Sequence, residues 1–401
     1  MKNEIIEIRA EKRKEQEVDR WQIVEKAEAI ERELQPFYKK MLRTMLKAEG
    51  NRVFSPLNLF LALSSLAAGA AGRTLEQILA LVNAKDEKAL RKAAKLAWEA
   101  NAVAEGEAFC SLATSVWLKS GLLEFYNKKT IEILQTTYMA DVFIGEMGSP
   151  ELTAAAQKWL NEATGGKLQN EVSGVEFEKE TALALIAAIH LKANWESEFE
   201  ERHTKPRDFH GELKTAKVET MYQRLRTSFY AGKTFKALAM ELSCGASACF
   251  VLPHKTSSVD EVLSGDELFE LLSQPESSWE TVDAKVYLPK FEARAQFDLG
   301  AALWSLGVAD AFDREKANFK NFADLPEPNK LYVSGAVHAA MFEVKEKGVE
   351  GAAFTAFCMD TGCLPPAPAR PVVFRLDRPF LYAVQGADKA LLFAGAVRNL
   401  E

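Results

Sequence analysis

Cysteine is scarce, with five residues in a chain of 401. That is too few for a disulfide scaffold, and the odd count leaves at least one thiol outside any intrachain bridge. No Cys-x-x-Cys pair occurs, so the common zinc spacings are missing. Histidine is equally sparse (His190, His203, His210, His254, His338), and none belongs to a His-Glu-x-x-His motif. Positive charge is not in excess. Lys+Arg 50 against Asp+Glu 57 gives a formal charge of −7, which disfavours a strongly basic nucleic-acid binder. No dense basic run argues for a heparin-like cofactor.

Long apolar runs are missing too. The stretch from Leu57 to Gly72 carries no charge, but at about 16 residues it falls short of the roughly 20 that span a bilayer. Ser55-Pro56 precedes it. Serine caps helices, and proline suits the first turn because its missing N–H would have been unpaired. The expectation is a buried helix in a soluble protein, with no membrane partner. The first residues, Met1 to Arg9, lack the apolar core of a signal peptide. The compartment stays open: extracellular or cell envelope if a signal was trimmed, cytoplasmic otherwise.

Catalytic signatures fail one by one. Gly245-Ala-Ser-Ala-Cys249 lacks the final glycine of a nucleophile elbow. Gly165-Gly166-Lys167 lacks the first glycine and the Ser/Thr of a phosphate loop, and Gly69-Ala-Ala-Gly72 opens no dinucleotide fingerprint. Cys244/Cys249 and Cys358/Cys363 share a Cys-x4-Cys spacing. A hairpin would bring the first pair within bridging distance. Pairing at either site is left open, and a metal is not expected. An independent hydrolase is therefore disfavoured.

What is present is an ordinary globular composition, 48% hydrophobic and 27% charged, which excludes disorder, collagen and coiled coil for the whole chain. Length alone suggests two or three domains. No repeat and no Pro/Gly/Ser linker divides the chain, however, and helical patterns precede strand patterns. The reading is one α+β domain over 36–401, preceded by a charged, helical or partly ordered extension over 1–35.

After Pro36, the residues Phe37, Met41, Leu42, Met45 and Leu46 share one helical face. Trp159 to Lys167 reads as a helix ending at a glycine stop. Ala182–Leu191 suits a strand buried on both faces, although a buried helix fits the run as well. Ala248–Pro253 follows a turn at Gly245 and suggests a hairpin. Further strands are expected at 227–231, 236–242, 286–291, 372–374, 380–384 and 391–397, with a helix over 299–306. Lys345 to Arg370 is unlike the rest. It opens with charges and Gly348, continues with small residues to Thr355, and ends in Pro365-Pro-Ala-Pro-Ala-Arg370. A loop of about 20 residues in a compact domain is usually functional or disordered.

That loop and its flanks resemble the serpins, and the resemblance runs from about Pro36 to the end. It rests on Asn51-Arg-Val-Phe-Ser-Pro-Leu-Asn58, Leu66 to Thr74, Asn161 to Lys167, Ile189 to Trp195, Leu288 to Phe291, Val337 to Val344, Glu346 to Glu350 and Phe374 to Phe380, in order and correctly spaced. It implies a single-domain α+β fold with three β-sheets, about eight or nine helices and an exposed reactive-centre loop at about 346–371.

The function it implies is inhibition of serine proteases as a suicide substrate. The cleaved loop inserts as a new strand in the main sheet and traps the acyl-enzyme. The implied protein is a monomer with no cofactor, metal or catalytic residue, and its partner is a covalently bound target protease. The other readings are a non-inhibitory carrier, chaperone or storage protein, and an inhibitor that crosses over to cysteine proteases.

The loop's pattern permits insertion. Strand side chains alternate between faces, so Val349, Gly351, Ala353, Thr355, Phe357, Met359 and Thr361 share one face. Glu350, Ala352, Phe354, Ala356, Cys358 and Asp360 share the other. The first face carries no charge, and its hinge members are small or β-branched. The resemblance makes Glu346, Gly348, Val349, Glu350, Gly351, Ala352, Ala353 and Thr355 the hinge. Val349 stands where the family usually has Thr or Ser, and Phe354 where it usually has Ala. Counting from Glu346 places the scissile bond at Gly362–Cys363, with Met359, Asp360 and Thr361 as neighbours. The stretch to Pro379 is longer than in common members, so counting back points toward Pro368. A small residue before the bond suits elastase- or subtilisin-like pockets, and a Cys358–Cys363 bridge would restrain the loop.

The resemblance also assigns Ser55, Asn58 and His338 to the shutter, where the sheet must open. The family's usual Ser is replaced by Asn58 and its usual Asn by Ala187, so a direct Asn58–His338 hydrogen bond is expected. Trp195 and Lys290 lie at the breach, where the loop enters, and Lys290 is expected to pair with Glu346.

Overall fold

The computed structural model describes residues 5–10, 20–47, 49–105, 108–166, 175–243, 245–274, 278–326, 330–349 and 369–401. Nine α-helices lie among these residues: α1 (Arg20–Met45), α2 (Pro56–Gly69), α3 (Gly72–Leu81), α4 (Glu87–Asn101), α5 (Lys128–Thr137), α6 (Pro150–Ala163), α7 (Val259–Ser264), α8 (Glu267–Ser273) and α9 (Leu299–Ser305). The uncharged run forms α2 only as far as Gly69, all of it buried, and breaks at Ala70–Ala71 before Gly72 opens α3. The start of α2 is as expected: Pro56 sits in the first turn, and the Asn58 N–H donates to Ser55 Oγ at 3.1 Å. Ser149 and Pro150 start α6 in the same way. That helix stops where Gly165 and Gly166 take φ of +59° and +78°, backbone that favours glycine. None of the described helices is long and apolar enough to cross a membrane.

The first sheet contains β1 (Ile6–Ile8), β5 (Ala140–Gly145), β4 (Ala108–Lys119), β6 (Leu183–Asn194), β14 (Gly348–Val349), β13 (Val333–Val344) and β12 (Phe291–Asp298) in spatial order, with β3 (Val103–Glu105) paired to β4. Its central strand β6 explains the apolar run from Ala182. One face, with Leu183, Leu185, Ala187, Ile189, Leu191 and Ala193, enters the main core. The other, with Ala184, Ile186 and Ala188, packs with Leu152, Ala156, Trp159 and Leu160 of α6. A strand covered on both sides loses the polar alternation of a half-exposed one.

The second hydrogen-bonded network runs β15 (Arg370–Arg375), β11 (Glu280–Pro289), β8 (Thr215–Ala231), β9 (Phe235–Glu241), β10 (Ser247–Pro253), β16 (Phe380–Gln385), β17 (Leu391–Val397) and β2 (Arg52–Phe54), with β7 (Lys205–His210) on β8. The 17-residue β8 joins two groups of strands. Thr220–Phe229 pairs with β11, and the last three residues pair with β9. The three sheets implied by the resemblance therefore appear as one independent sheet and two that share a strand. The β9–β10 hairpin forms as expected, from Phe235↔Pro253 to Glu241↔Ser247.

The N-terminal residues hold two findings. Ile6–Ile8 adds an antiparallel edge strand to β5, and Asp141 on β5 accepts from the Ala10 N–H (2.8 Å), Arg9 Nη1 (3.2 Å) and Trp159 Nε1 of α6 (2.7 Å). Helix α1 runs straight through Pro36. Packing of Val24, Ala27, Leu34, Phe37 and Met41 outweighs the hydrogen bond a proline removes.

Helix α1 also buries Glu31, whose Oε2 accepts from the Tyr38 hydroxyl at 2.5 Å while Oε1 has no partner. Burial first, then the nearby Asp388 carboxylate, push Glu31 well above the usual carboxylate range against the Tyr38 bond. Burial raises Asp388 to about 6. A carboxyl raised in the folded state stays protonated while its unfolded counterpart ionises, so stability falls as pH rises above about 4.5. Glu31→Gln should therefore raise the melting temperature at pH 8 and leave it nearly unchanged at pH 4, as read by differential scanning calorimetry. Equal shifts at both pH values would contradict this account.

Candidate functional site at the seam of the first sheet

Strands β6 and β13 run parallel and are hydrogen-bonded directly to each other from Leu183↔Val333 to Ala188↔Ala339. Parallel neighbours without an intervening strand form a seam into which one antiparallel strand fits with its backbone groups paired on both sides. At the upper end the seam is already parted. Gly348 and Val349 lie between the strands, antiparallel to both, with Gly348↔Asn194, Val349↔Ala193 and Val349↔Val344.

The turn into this position is held by backbone bonds. Lys345 N donates to Gly348 O at 2.9 Å, Trp195 N to Lys347 O at 2.9 Å, and Phe199 N to Glu346 O at 2.9 Å. The Trp195 indole N–H donates to Lys345 O at 2.9 Å, and the ring is buried. Gly348 is required by close approach. A Cβ there would lie 2.2 Å from Ala193 O and 2.6 Å from Asn194 Cα, both backbone atoms that cannot step aside. Val349 is 1% exposed and belongs to the main core, which fixes the hinge's inward face.

The expected Lys290–Glu346 pair is present at 3.1 Å, and Thr204 Oγ1 donates to the other carboxylate oxygen at 2.9 Å. Burial pushes the Glu346 carboxyl up. Its own N–H, the Lys290 ammonium and the Thr204 hydroxyl outweigh that and hold it below the usual range. Thr204 and Phe199 were not anticipated. They lie more than a hundred residues from Glu346, and no local pattern marks them.

At the shutter, Ser55, Asn58 and His338 come together fully buried. The expected direct bond is not formed. His338 Nε2 instead accepts from the Ser55 N–H at 3.0 Å, and Ser55 Oγ accepts from the Asn58 N–H. Capping α2 turns Ser55 into the link between helix and strand. Both Asn58 amide atoms and His338 Nδ1 are left without protein partners. Desolvation lowers His338 to about 4. The remaining expected site residues, Glu350, Gly351, Ala352, Ala353, Thr355, Met359, Asp360, Thr361, Gly362 and Cys363, lie outside the described residues. So do Cys244 and Cys358, and with them both possible bridges.

The β6–β13 seam, with Gly348–Val349 seated in its upper end and the Lys290–Glu346 pair beside it, sits in the fold of a protease-inhibitor family. The family model described as "Serpin (serine protease inhibitor)" matches residues 33–400, and the chain belongs to the serpin family. It is 28% identical over 365 residues to a "Serine protease inhibitor" of Cyanea capillata, covering 88% of this chain and 93% of that one. It is also 28% identical over 376 residues to "Iris" of Ixodes ricinus, covering 90% and 96%. Among solved structures, the thermophilic serpin tengpin in its native state superposes with a TM-score of 0.80 at 23% identity, covering 98% of each chain. Serpin-12 of Manduca sexta also gives 0.80, at 22% identity, covering 92% of this chain and 98% of that one. The family's members target proteases through a suicide-substrate mechanism.

Proposed function

We propose that this chain is a non-catalytic, monomeric inhibitor of serine proteases that is cleaved in the segment after Val349 and traps the acyl-enzyme by inserting that segment into the β6–β13 seam. The observation that carries the reading is the seating of Gly348–Val349 between the two strands, in register with both. Continued unchanged, that register sets Thr355 beside both Ala187 and His338. These two residues already face each other across the closed seam, so β6 and β13 need only separate, without sliding.

The same continuation accounts for the loop's composition. Gly351 meets Leu191 and Phe342, and Ala353 meets Ile189 and Ala340, so small side chains enter where the core walls are already full. Glu350 comes between Lys192 and Glu343 on the opposite face, so its attraction to Lys192 is opposed by a carboxylate that Lys345 already pairs. Thr355 brings a hydroxyl to the wall that holds the orphaned Asn58 amide and His338 Nδ1. Unpaired buried polar groups cost about 1–3 kcal/mol each, so relieving them favours insertion.

The seam ends at Leu183 and Val333, which the register sets beside residues 359 and 360. A bond at Gly362–Cys363 therefore frees just enough chain to fill it. At roughly 3.3 Å per residue, insertion from Val349 carries an attached protease about 45 Å. A glycine before the bond favours proteases with elastase- or subtilisin-like pockets.

The test mixes the protein with elastase, subtilisin, chymotrypsin and trypsin. An SDS-stable complex, with a released peptide beginning at Cys363, is expected with the first two. Cleavage by every protease without a complex would remove the inhibitory reading.

Phe354, the bulky departure, meets Ala188 and Ala339 in this register, two alanines packed with α6. The ring must lift α6 to enter and then fills the space beneath it. Phe354→Ala is expected to bring the inhibitor:protease stoichiometry closer to one and to destabilise the cleaved form by about 3 kcal/mol. Native gels and denaturation of cleaved protein would measure both, and a slower-inserting variant would refute the argument.

A further inference from the structure

The loop runs directly into β15, whose outer face continues across β11 and β8. Val282, Ala284, Val286 and Leu288 of β11 point into the core, so Lys285 and Tyr287 point outward. Tyr287 lies opposite Tyr222 on β8 and Arg375 on β15, and Lys285 lies opposite Arg224. The two tyrosine rings are 4.9 Å apart, and the guanidiniums of Arg207 and Arg375 stand 4.8 Å and 4.6 Å from the Tyr287 ring. Arg224 is neutralised by Asp283. Among the described residues, no carboxylate pairs with Arg207, Arg226, Lys285 or Arg375. Arg226, Lys285 and Arg375 are exposed, and Arg207 Nε is buried without a partner. A chain of net charge −7 thus gathers Arg207, Arg226, Lys285 and Arg375 on one sheet face without a salt bridge among the described residues, with Asp283, the partner of Arg224, lying opposite Arg226 and acting on Arg226 and Lys285 at longer range.

We propose that this face is an exosite that docks an acidic surface beside the catalytic cleft of the target protease while the loop occupies the cleft. This rests on the inhibitory reading above. Position favours a protease as the occupant. From residue 369 to Arg375 is about 20 Å of strand. A protein partner covering about 800 Å² per side spans roughly 30 Å, so a protease gripping the loop reaches this face. Chemistry agrees, because tyrosine and arginine held in place by stacking are the side chains that dominate protein interfaces. The acidic remainder of the chain repels such a protease, and this patch attracts it, which orients the encounter.

The test uses Arg226→Glu/Lys285→Glu, two exposed positions whose change leaves the core intact. Rates of loop cleavage and of complex formation are measured from low to high NaCl against one acidic and one basic serine protease that share the same small-residue preference. The expected result is association with the acidic protease about tenfold slower at low salt, a flatter salt dependence, unchanged stoichiometry, and no slowing against the basic one. Unchanged rates and salt slopes would overturn the exosite. If the variant alters only the rate measured with added heparin, the face is a polyanion site and the proposal is equally overturned. Cleavage rates report docking even if no protease is trapped, so failure of the exosite and failure of inhibition are read separately.

Discussion

Val349→Arg is expected to turn the protein from an inhibitor into a substrate. Val349 is 1% exposed, lies beside Ala193 and Val344, and faces the main core. A guanidinium there has no carboxylate to meet and costs several kcal/mol. Completing the inserted strand gains ladder hydrogen bonds worth on the order of 10 kcal/mol in all. The final state thus survives the substitution, but the first step of insertion does not keep its speed. A barrier higher by about 3 kcal/mol slows that step roughly a hundredfold, and hydrolysis of the acyl-enzyme then wins. The stoichiometry of inhibition should rise more than tenfold while the rate of loop cleavage stays within a factor of two or three. Val349→Thr, which adds no charge, should keep the inhibitor working. Full inhibition by the arginine variant would mean that burial of residue 349 in the seam is not needed for trapping.

The second large effect is acid sensitivity at the shutter. Desolvation holds His338 at about 4, below its ordinary value of 6.5. The ring is therefore neutral in the folded state, and its Nε2 accepts the Ser55 N–H. As pH falls below about 6.5, any state in which water reaches the ring takes up a proton and the closed state does not. Stability is present at neutral pH and is lost down to pH 4, at about 1.4 kcal/mol per unit. The loss is about 2 kcal/mol at pH 5 and about 3 kcal/mol in full.

Glu31 and Asp388 act in the opposite direction over an overlapping range. The informative quantity is therefore the difference between the wild type and His338→Gln, whose amide oxygen can still accept from Ser55. The wild type should be the more stable at pH 7.5 and lose its lead by pH 5, in urea titrations and in the rate at which inhibitory activity decays. Parallel curves would show that His338 does not carry the pH dependence.

Much of this molecule is legible along the chain because the signals are local. Ser55-Pro56 announces the start of α2, and Gly165-Gly166 the end of α6. Of the charge-free face expected from Val349 to Thr355, the structure describes Val349, which is seated against the core. Gly348 is readable as a backbone need only once Ala193 O is found 2.2 Å from where its Cβ would lie. The Lys290–Glu346 pair was expected because the family resemblance brings two distant positions together. In place of the expected Asn58–His338 bond, the imidazole Nε2 accepts from the Ser55 N–H while Ser55 caps α2, and the Asn58 amide and His338 Nδ1 stay unpartnered. An arrangement of that kind is invisible to residue spacing.

The sequence by itself determined the α+β class, the start of α2, the end of α6 and the scarcity of cysteine that excludes a disulfide scaffold. These follow from periodicity, capping and composition, which act over a few residues. Only the tertiary structure decided that β6 and β13 close on each other in the register the hinge extends, that Thr204 completes the cradle of Glu346, and that Ile6–Ile8 covers the edge of the sheet. It also gathered Arg207, Arg226, Lys285 and Arg375 onto one face. Those four cations come from four different strands, so no run of basic residues marks them in the chain, and sheet pairing alone brings their charges together.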